Sequence, residues 1–259
     1  MKGESYLRFR KIAPWYDVGV KLLALSMGGE AAVREKILGL LPLNTGSRVL
    51  EVGCGTGTVA LMAAGRVGPT GEVVGIDPST EMLARARKKL VKSKFRQVAL
   101  LRSAGAPLPF PDCYFDAVIL FFVLHEMVQE DRIDSLQEAL RVLKLDGHLL
   151  VADLGRPESK VGRLLQQLLL LVEEKEAADF LRRGLSAIIG EGGSGELTEV
   201  ERVIFAHHFV QGVLYRKIKN RPYEQQYYAG QNNDPEKERK ASSTPCRSRT
   251  FRASCRFPS

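Results

Sequence analysis

The chain has 259 residues, 44% hydrophobic and 26% charged, with a formal net charge of +8. That length accommodates one large α/β domain or two small ones, and the composition excludes a mainly disordered protein. No apolar run reaches the ~18–20 residues that cross a bilayer, and the charged start MKGESYLRFRKIAPWYD lacks the apolar region of a signal peptide. Stable membrane insertion is therefore not expected, and the expected location is cytoplasmic or peripheral to a membrane.

Residues 5–41 read as helical, with apolar patches LLAL and KILGLL and a stop at Pro42, so 1–44 is expected to form an N-terminal helical cap. From residue 47 onward short β-branched runs alternate with helical patterns. SRVLEV (47–52), EVVGI (72–76), FRQVALL (95–101), FDAVILF (115–121) and GHLLVA (147–152) read as strands. Most are nearly continuous in apolar residues, as a parallel strand covered on both faces requires. Helices are expected at 57–65, 79–92 and 130–144, the last with Ile133, Leu136, Leu140 and Leu143 on one stripe. This alternation argues for right-handed βαβ units and an open doubly wound sheet.

Residues 159–189 form a long amphipathic stretch in which Val161, Leu164, Leu165, Leu168, Leu169 and Val172 follow helical spacing. That stripe reads either as core or as a helical lid over an apolar substrate. ELTEVERVIFAHHFVQGVLYRKI (196–218) reads as two strands closing the sheet as an antiparallel hairpin, which ends the ordered domain, 45–219. The expected fold class is thus α/β, a Rossmann-like doubly wound seven-stranded sheet, mostly parallel with a C-terminal antiparallel hairpin. Residues 220–259 hold eight Lys or Arg and four acids, half of the net charge, in a tail rich in Ser, Pro, Asn and Gln. The tail reads as a disordered, solvated end, with contact to nucleic acid or anionic lipid as the alternative. Cys54, Cys113, Cys246 and Cys255 make no CxxC pair, so spacing indicates neither a disulfide framework nor a metal site.

The strand VLEV runs into GCGTG, residues 53–57, and then into a helix. Gly53, Gly55 and Gly57 permit a tight turn and close backbone approach to a ligand, with helix N–H groups aimed at it. In open α/β sheets the crevice at the carboxyl ends of the strands is where ligands bind. Asp77 ends the second strand, 20 residues after Gly57, where a carboxylate can accept hydrogen bonds from both ribose hydroxyls of an adenosine. A dinucleotide fingerprint needs G-x-G-x-x-G, and Thr58 holds the third glycine's place. Glu51, just before the loop, would repel a pyrophosphate but suits a ligand with a positive amino group or sulfonium. The E-x-G-x-G-x-G spacing of Glu51, Gly53, Gly55 and Gly57 points to S-adenosyl-L-methionine; the plain alternative is a glycine-rich turn without a ligand.

VLEVGCGTGTVAL, VVGIDPSTEML, LPFPDCYFDAVILFFVLH and EALRVLKLDGHLLVADLGRP, in that order, resemble the class I S-adenosylmethionine-dependent methyltransferases. The resemblance covers roughly residues 8–157 and is closest to the ubiquinone/menaquinone C-methyltransferase-like branch. It implies that Glu51 and the loop of Gly53, Cys54, Gly55, Thr56 and Gly57 hold the methionine moiety. It also implies that Asp77 binds the ribose, that Pro78 and Met82 line the adenine pocket, that Phe121 lies beside the cofactor, and that Tyr16 closes over it. The family's usual G-D-A segment before LPF is Ser103-Ala104-Gly105 here. Ser103 and Ala104 thus stand where the adenine is met, without the carboxylate, a loss of about 1.5–3 kcal/mol unless a backbone carbonyl substitutes. The chain also has Asp153 and Gly155 where the quinone branch has Glu and Ser, and it lacks that branch's Met-Asn after Tyr-Asp.

The mechanism implied is in-line displacement at the cofactor methyl, in which the protein supplies alignment and exclusion of water. His125, in VLHEM after the fourth strand, is the best placed candidate base, and it reads equally as a structural histidine. Asp153, at the end of the fifth strand, is the second catalytic candidate. His207 and His208 fall within a late strand pattern and read as packing and surface residues. The expected substrate is a small, apolar or quinone-like molecule. The competing readings are a nucleic-acid methyltransferase, which the location of the charge and the absence of a [DNS]-P-P-[FYW] tetrapeptide disfavour, and a nonenzymatic protein that keeps the fold, prompted by Ala104. The sequence carries no signal of oligomeric state.

Overall fold

A computed structural model of the chain describes residues 29–160, 162–163, 166, 175–193, 195–205 and 208–219. Residues 1–28 of the 1–44 cap, Tyr16 among them, all six residues of the apolar stripe between 161 and 172, His207 and the 220–259 tail lie outside the described residues. In chain order the described elements are α1 (Glu30–Leu38), β1 (Arg48–Val52), α2 (Thr58–Val67), β2 (Glu72–Asp77), α3 (Thr80–Lys92), β3 (Val98–Arg102), β4 (Phe115–Phe121), a 3-10 turn (Leu124–Glu126), α4 (Gln129–Val142), β5 (Leu143–Leu154), α5 (Lys175–Arg183), α6 (Leu185–Gly193), β6 (Leu197–Phe205) and β7 (Val210–Lys217).

The strands form one seven-stranded sheet in the order β3-β2-β1-β4-β5-β7-β6. β1 to β5 pair in parallel, while β7 runs antiparallel to both β5 and β6. The sheet and its C-terminal hairpin are as the sequence predicts. Alternate strand residues feed two cores. Leu50, Val52, Val74, Val118, Leu120, Leu149 and Val151 pack with α4, α5 and α6. Val49, Val73, Ala117, Ile119 and Leu150 pack with α1 and α2. Cover on both faces is why these strands read as unbroken apolar runs. The order reverses between β1 and β4, the place where a parallel sheet opens a crevice at its carboxyl edge.

Local chemistry moves several boundaries. The third predicted helix was expected to reach 144, but α4 ends at Val142 and Leu143, in extended conformation, starts β5. The buried Lys217 ammonium takes the Leu140 and Leu143 carbonyls (2.6 and 3.0 Å), filling acceptors that the end of α4 leaves open. β3 starts at Val98 rather than 95, because Gln97 turns back to donate to the Ala64 and Gly68 carbonyls at the end of α2. Within the 159–189 stretch, Gly184, at φ +84°, closes α5 through its N–H to the Phe180 carbonyl, and α6 begins at the next residue. His208 lies in the turn between β6 and β7 at φ +75° rather than within a strand. Cys54 is free and buried.

Arg141 fixes the loop between β3 and β4. Its guanidinium donates to the Leu108 and Phe110 carbonyls and to Asp112 and Glu138, while Glu138 accepts the Leu108 N–H at 2.6 Å.

Candidate functional site

The loop after β1 is shaped by its glycines and by the buried carboxylate beneath it. Gly53, Gly55 and Gly57 have φ of +71°, +51° and +71°, a region that side-chain-bearing residues avoid. A Cβ on Gly53 would lie 2.4 Å from Val123 Cγ2, so this glycine is required by packing. Among the described residues a Cβ on Gly55 would meet nothing within 4 Å, so a ligand can approach the backbone at that position. Gly57 heads α2 without a side-chain cap. The Ala60 N–H, an amide that the helix itself leaves open, instead bonds the Glu51 carboxylate. Glu51 is 2% exposed and its Oε2 has no hydrogen-bond partner among the described residues. Burial pushes its pKa up to about 8, reinforced by the Asp77 charge and opposed by the Ala60 N–H and the Arg34 guanidinium.

Cys54 packs against Gly75 of β2, whose added Cβ would lie 3.0 Å from Cys54 Sγ. Burial, with the Glu51 and Asp77 charges beside it, pushes the Cys54 thiol above its ordinary range, which leaves it unreactive at neutral pH. Thr56 and Thr58 each accept a 2.7 Å hydrogen bond from the Lys89 ammonium of α3. Partial burial and Arg34 hold that lysine below the usual range.

Asp77 faces the loop from the end of β2. Its Oδ2 accepts the Gly55 N–H and its Oδ1 the Ser79 N–H, both at 2.8 Å. Ser79 caps α3 by accepting the Met82 N–H, and Pro78 and Met82 are exposed around this turn. Ser103 donates its N–H to the Asp77 carbonyl (3.3 Å) and its hydroxyl to the Ala104 carbonyl, while Ala104 is exposed. The structure thus brings Gly55, Asp77 and Ser103 together directly, with Pro78 and Met82 on the same turn.

The second half of the site lies at the ends of β4 and β5. Asp153 is completely buried and His125 is 4% exposed. His125 Nδ1 lies 2.7 Å from Asp153 Oδ1, which also accepts the Leu154 N–H. Asp153 Oδ2 accepts the N–H groups of Leu124 (3.0 Å) and His125 (3.3 Å). With Nδ1–H donated to the carboxylate, Nε2 is the basic atom of the ring. The ring centroids of Phe121 and Phe122 are 5.3 Å apart, and Phe122 lies 6.3 Å from the His125 ring. Val123, the residue that excludes a side chain at Gly53, leads into the turn that carries His125, so the glycine loop and the His125–Asp153 pair share a packing contact. Sequence reading missed Val123 and Lys89, since neither belongs to a motif and both act through tertiary contact. Among the described residues no cluster of three or more His, Cys, Asp or Glu could hold a metal ion.

Comparison with known proteins adds three findings. Residues 49–147 match the methyltransferase domain family. The chain is 34% identical over 149 residues to demethylmenaquinone methyltransferase of Listeria monocytogenes serotype 4a (strain HCC23), covering 58% of this chain and 61% of that protein. It is 35% identical over 162 residues to the ubiquinone/menaquinone biosynthesis C-methyltransferase UbiE of Geobacter sulfurreducens, covering 62% of each. The chain therefore spans about three-fifths of these relatives' length. Among solved structures, an S-adenosylmethionine-dependent methyltransferase from Aquifex aeolicus aligns with a TM-score of 0.57 at 24% identity, covering 71% of this chain and 89% of that one. A putative sarcosine dimethylglycine methyltransferase from Galdieria sulphuraria aligns at 0.58 and 12% identity, covering 74% and 88%. Both share the fold of this chain.

Proposed function

We propose that residues 49–147, which match the methyltransferase domain family, form a class I methyltransferase domain, and that the chain is an S-adenosylmethionine-dependent methyltransferase acting on a small, apolar or quinone-like molecule. The observation that carries this reading is the cradle at the end of β1. There, among the described residues, an open glycine position faces Asp77 over a buried carboxylate oxygen that has no partner. A cationic amino group and a sulfonium suit such an oxygen, and a pyrophosphate does not. The residues present therefore fit the cofactor. Glu51 and the loop of Gly53, Cys54, Gly55, Thr56 and Gly57 would hold its methionine moiety and Asp77 its ribose. Pro78, Met82, Ser103 and Ala104 would border the adenine, and Phe121 and Tyr16 would flank the bound molecule.

When bound, S-adenosylmethionine supplies a methyl group already activated by the sulfonium, so the chain need contribute only alignment, dryness and a proton acceptor. Phe121, Phe122 and Val123 line the approach with apolar surface. His125 Nε2 takes the proton that the acceptor loses as its new bond to carbon forms. Asp153 holds the ring through Nδ1 and stabilises the imidazolium.

The quinone-like acceptor is supported by the names of the two relatives, both methyltransferases of quinone biosynthesis. The leucine spacing of 161–172 suits an apolar substrate. Among the described residues no helix is long and apolar enough to cross a membrane, and we place the protein in the cytoplasm or at a membrane surface, where such a substrate partitions.

Calorimetric titration with S-adenosylmethionine and S-adenosylhomocysteine, with NAD as control, tests the reading. Micromolar binding that weakens at least about tenfold in Asp77→Ala is expected from the loss of a charged hydrogen-bond acceptor, followed by radiolabelled methyl transfer into a demethylated naphthoquinol. Failure of both adenosyl ligands to bind folded protein would sink the enzyme reading and favour a protein that keeps only the fold.

A further inference from the structure

Arg132, on α4, is the largest fully buried side chain among the described residues, and it belongs to none of the groups assigned above. A guanidinium survives burial only when its donors are met. Nε donates to the Leu124 carbonyl at 2.8 Å, Nη1 to Asp179 at 2.8 Å and Gln129 at 3.3 Å, and Nη2 to the Glu176 carbonyl at 2.6 Å. Its central carbon lies 5.5 Å from the Phe180 ring centroid. Glu176, Asp179 and Phe180 all belong to α5, so the arginine bridges α5 and the turn that carries His125.

The carbonyl it holds is informative. The Leu124 C=O and the His125 N–H are the two ends of one peptide group, and that N–H donates to Asp153 Oδ2. The guanidinium draws electron density toward the oxygen end, which strengthens the nitrogen end as a donor to the carboxylate that orients the His125 ring. Hydrogen bonds linked in this way polarise one another. The bond also fixes the turn in space between the Leu124 N–H on Asp153 and the His125 ring on the same carboxylate.

We propose that Arg132 is a positioning residue for His125: through the Leu124 carbonyl it locks the turn so that the ring keeps Nδ1–H on Asp153 and Nε2 as its basic atom. This rests on His125 being the proton acceptor. Among the described residues, charged groups around the turn are Asp153 of β5, Glu126 of the turn itself, Arg132 of α4 and Asp179 of α5.

The test is nitrogen-15 NMR of the full chain labelled at histidine, above the imidazole titration range, with the His125 signals assigned through His125→Gln. Wild type is expected to show one tautomer, Nδ1 protonated and Nε2 bare. Arg132→Met is expected to show a tautomer mixture and an upfield shift of the His125 amide proton, with S-adenosylmethionine affinity within about twofold of wild type because the glycine loop is untouched. Arg132→Lys, which keeps one charged donor but not the fork, should fall between the two. A folded Arg132→Met with an unchanged His125 tautomer and amide shift overturns the proposal. Should Arg132→Met fail to fold, Arg132→Lys decides: a His125 spectrum identical to wild type overturns it, and an intermediate one sustains it. Methyl transfer separates the two readings. A loss of about a hundredfold in kcat for Arg132→Met at constant KM is the expected cost of misplacing a reacting group. Full activity in His125→Gln would remove the base assignment while leaving the tautomer result on Arg132 standing.

Discussion

Burial raises the Glu51 carboxyl from 4.5 to about 8, so between those pH values the folded chain binds a proton there that the unfolded chain has released. The stability this group contributes is full below pH 4.5 and is lost as pH rises through 8, a fall on the order of several kcal/mol. Glu51→Gln should flatten that part of the profile, measured by denaturant midpoints across pH 4–9. A cationic ligand group beside Glu51 favours the carboxylate, so binding at pH 7 should release up to about one proton. Calorimetry in buffers of differing ionisation heat would show this release, and Glu51→Gln should abolish it. The glycines separate in the same way. Gly53→Ala meets Val123 at 2.4 Å and should cost about 2–3 kcal/mol of stability, with partial recovery in Gly53→Ala/Val123→Ala. Gly55→Ala meets nothing among the described residues, so it should cost only about 1–2 kcal/mol, the penalty of a left-handed backbone, while removing cofactor binding by occupying the ligand's space. At Ala104 the sign reverses. Ala104→Asp restores the missing acceptor and should tighten S-adenosylmethionine by about 1.5–3 kcal/mol, read by titration. The sequence displayed Glu51, the glycines and Asp77 because a strand-turn-helix places them by local spacing. Their partners Val123 and Lys89 were silent because each arrives from elsewhere in the fold.

Elements were legible where periodicity and cover agree, and blurred where one side chain decides an end. β1, β2 and β4 are apolar runs buried on both faces, and the predicted spans hold within a residue or two. The junction of α4 and β5 was misplaced because Leu143 continues the helical stripe of Leu136 and Leu140 yet is claimed by the sheet, paired with Phe115. The break at Gly184 lies beyond the 161–172 spacing that the sequence displays, and a left-handed glycine makes it. Arg141 acts at this scale, as α4 holding the β3–β4 loop. Arg141→Met removes donors from the Leu108 and Phe110 carbonyls and leaves Glu138 with the Leu108 N–H but without its guanidinium partner. It should cost about 2–3 kcal/mol, seen as a lower denaturant midpoint with an unchanged slope. Arg156 does similar work for α5, capping its C-terminal end through the Leu181 and Arg182 carbonyls. With Arg132 toward the N-terminal end, α5 is held at both ends by arginines from outside it.

At the scale of the whole molecule, ligand binding and folding are linked: a cofactor that binds only the folded state at 100 times its dissociation constant adds about 2.7 kcal/mol. For a chain of this size that should raise the thermal midpoint by about 5–10 °C, and a midpoint indifferent to saturating S-adenosylmethionine would contradict the assigned site. The sheet order has a further effect, one of timing. β5 carries Asp153 and lies inside the sheet, yet one of its two neighbours is β7, which ends about 60 residues later at Lys217. During synthesis at about 5–20 residues per second, β5 waits several seconds with an open edge, and Lys217, which fills the carbonyls at the end of α4, is the last residue of β7 to emerge. A ribosome pause placed between β5 and β7 should therefore expose an unpaired apolar strand and favour aggregation, while the same pause after Lys217 should be harmless.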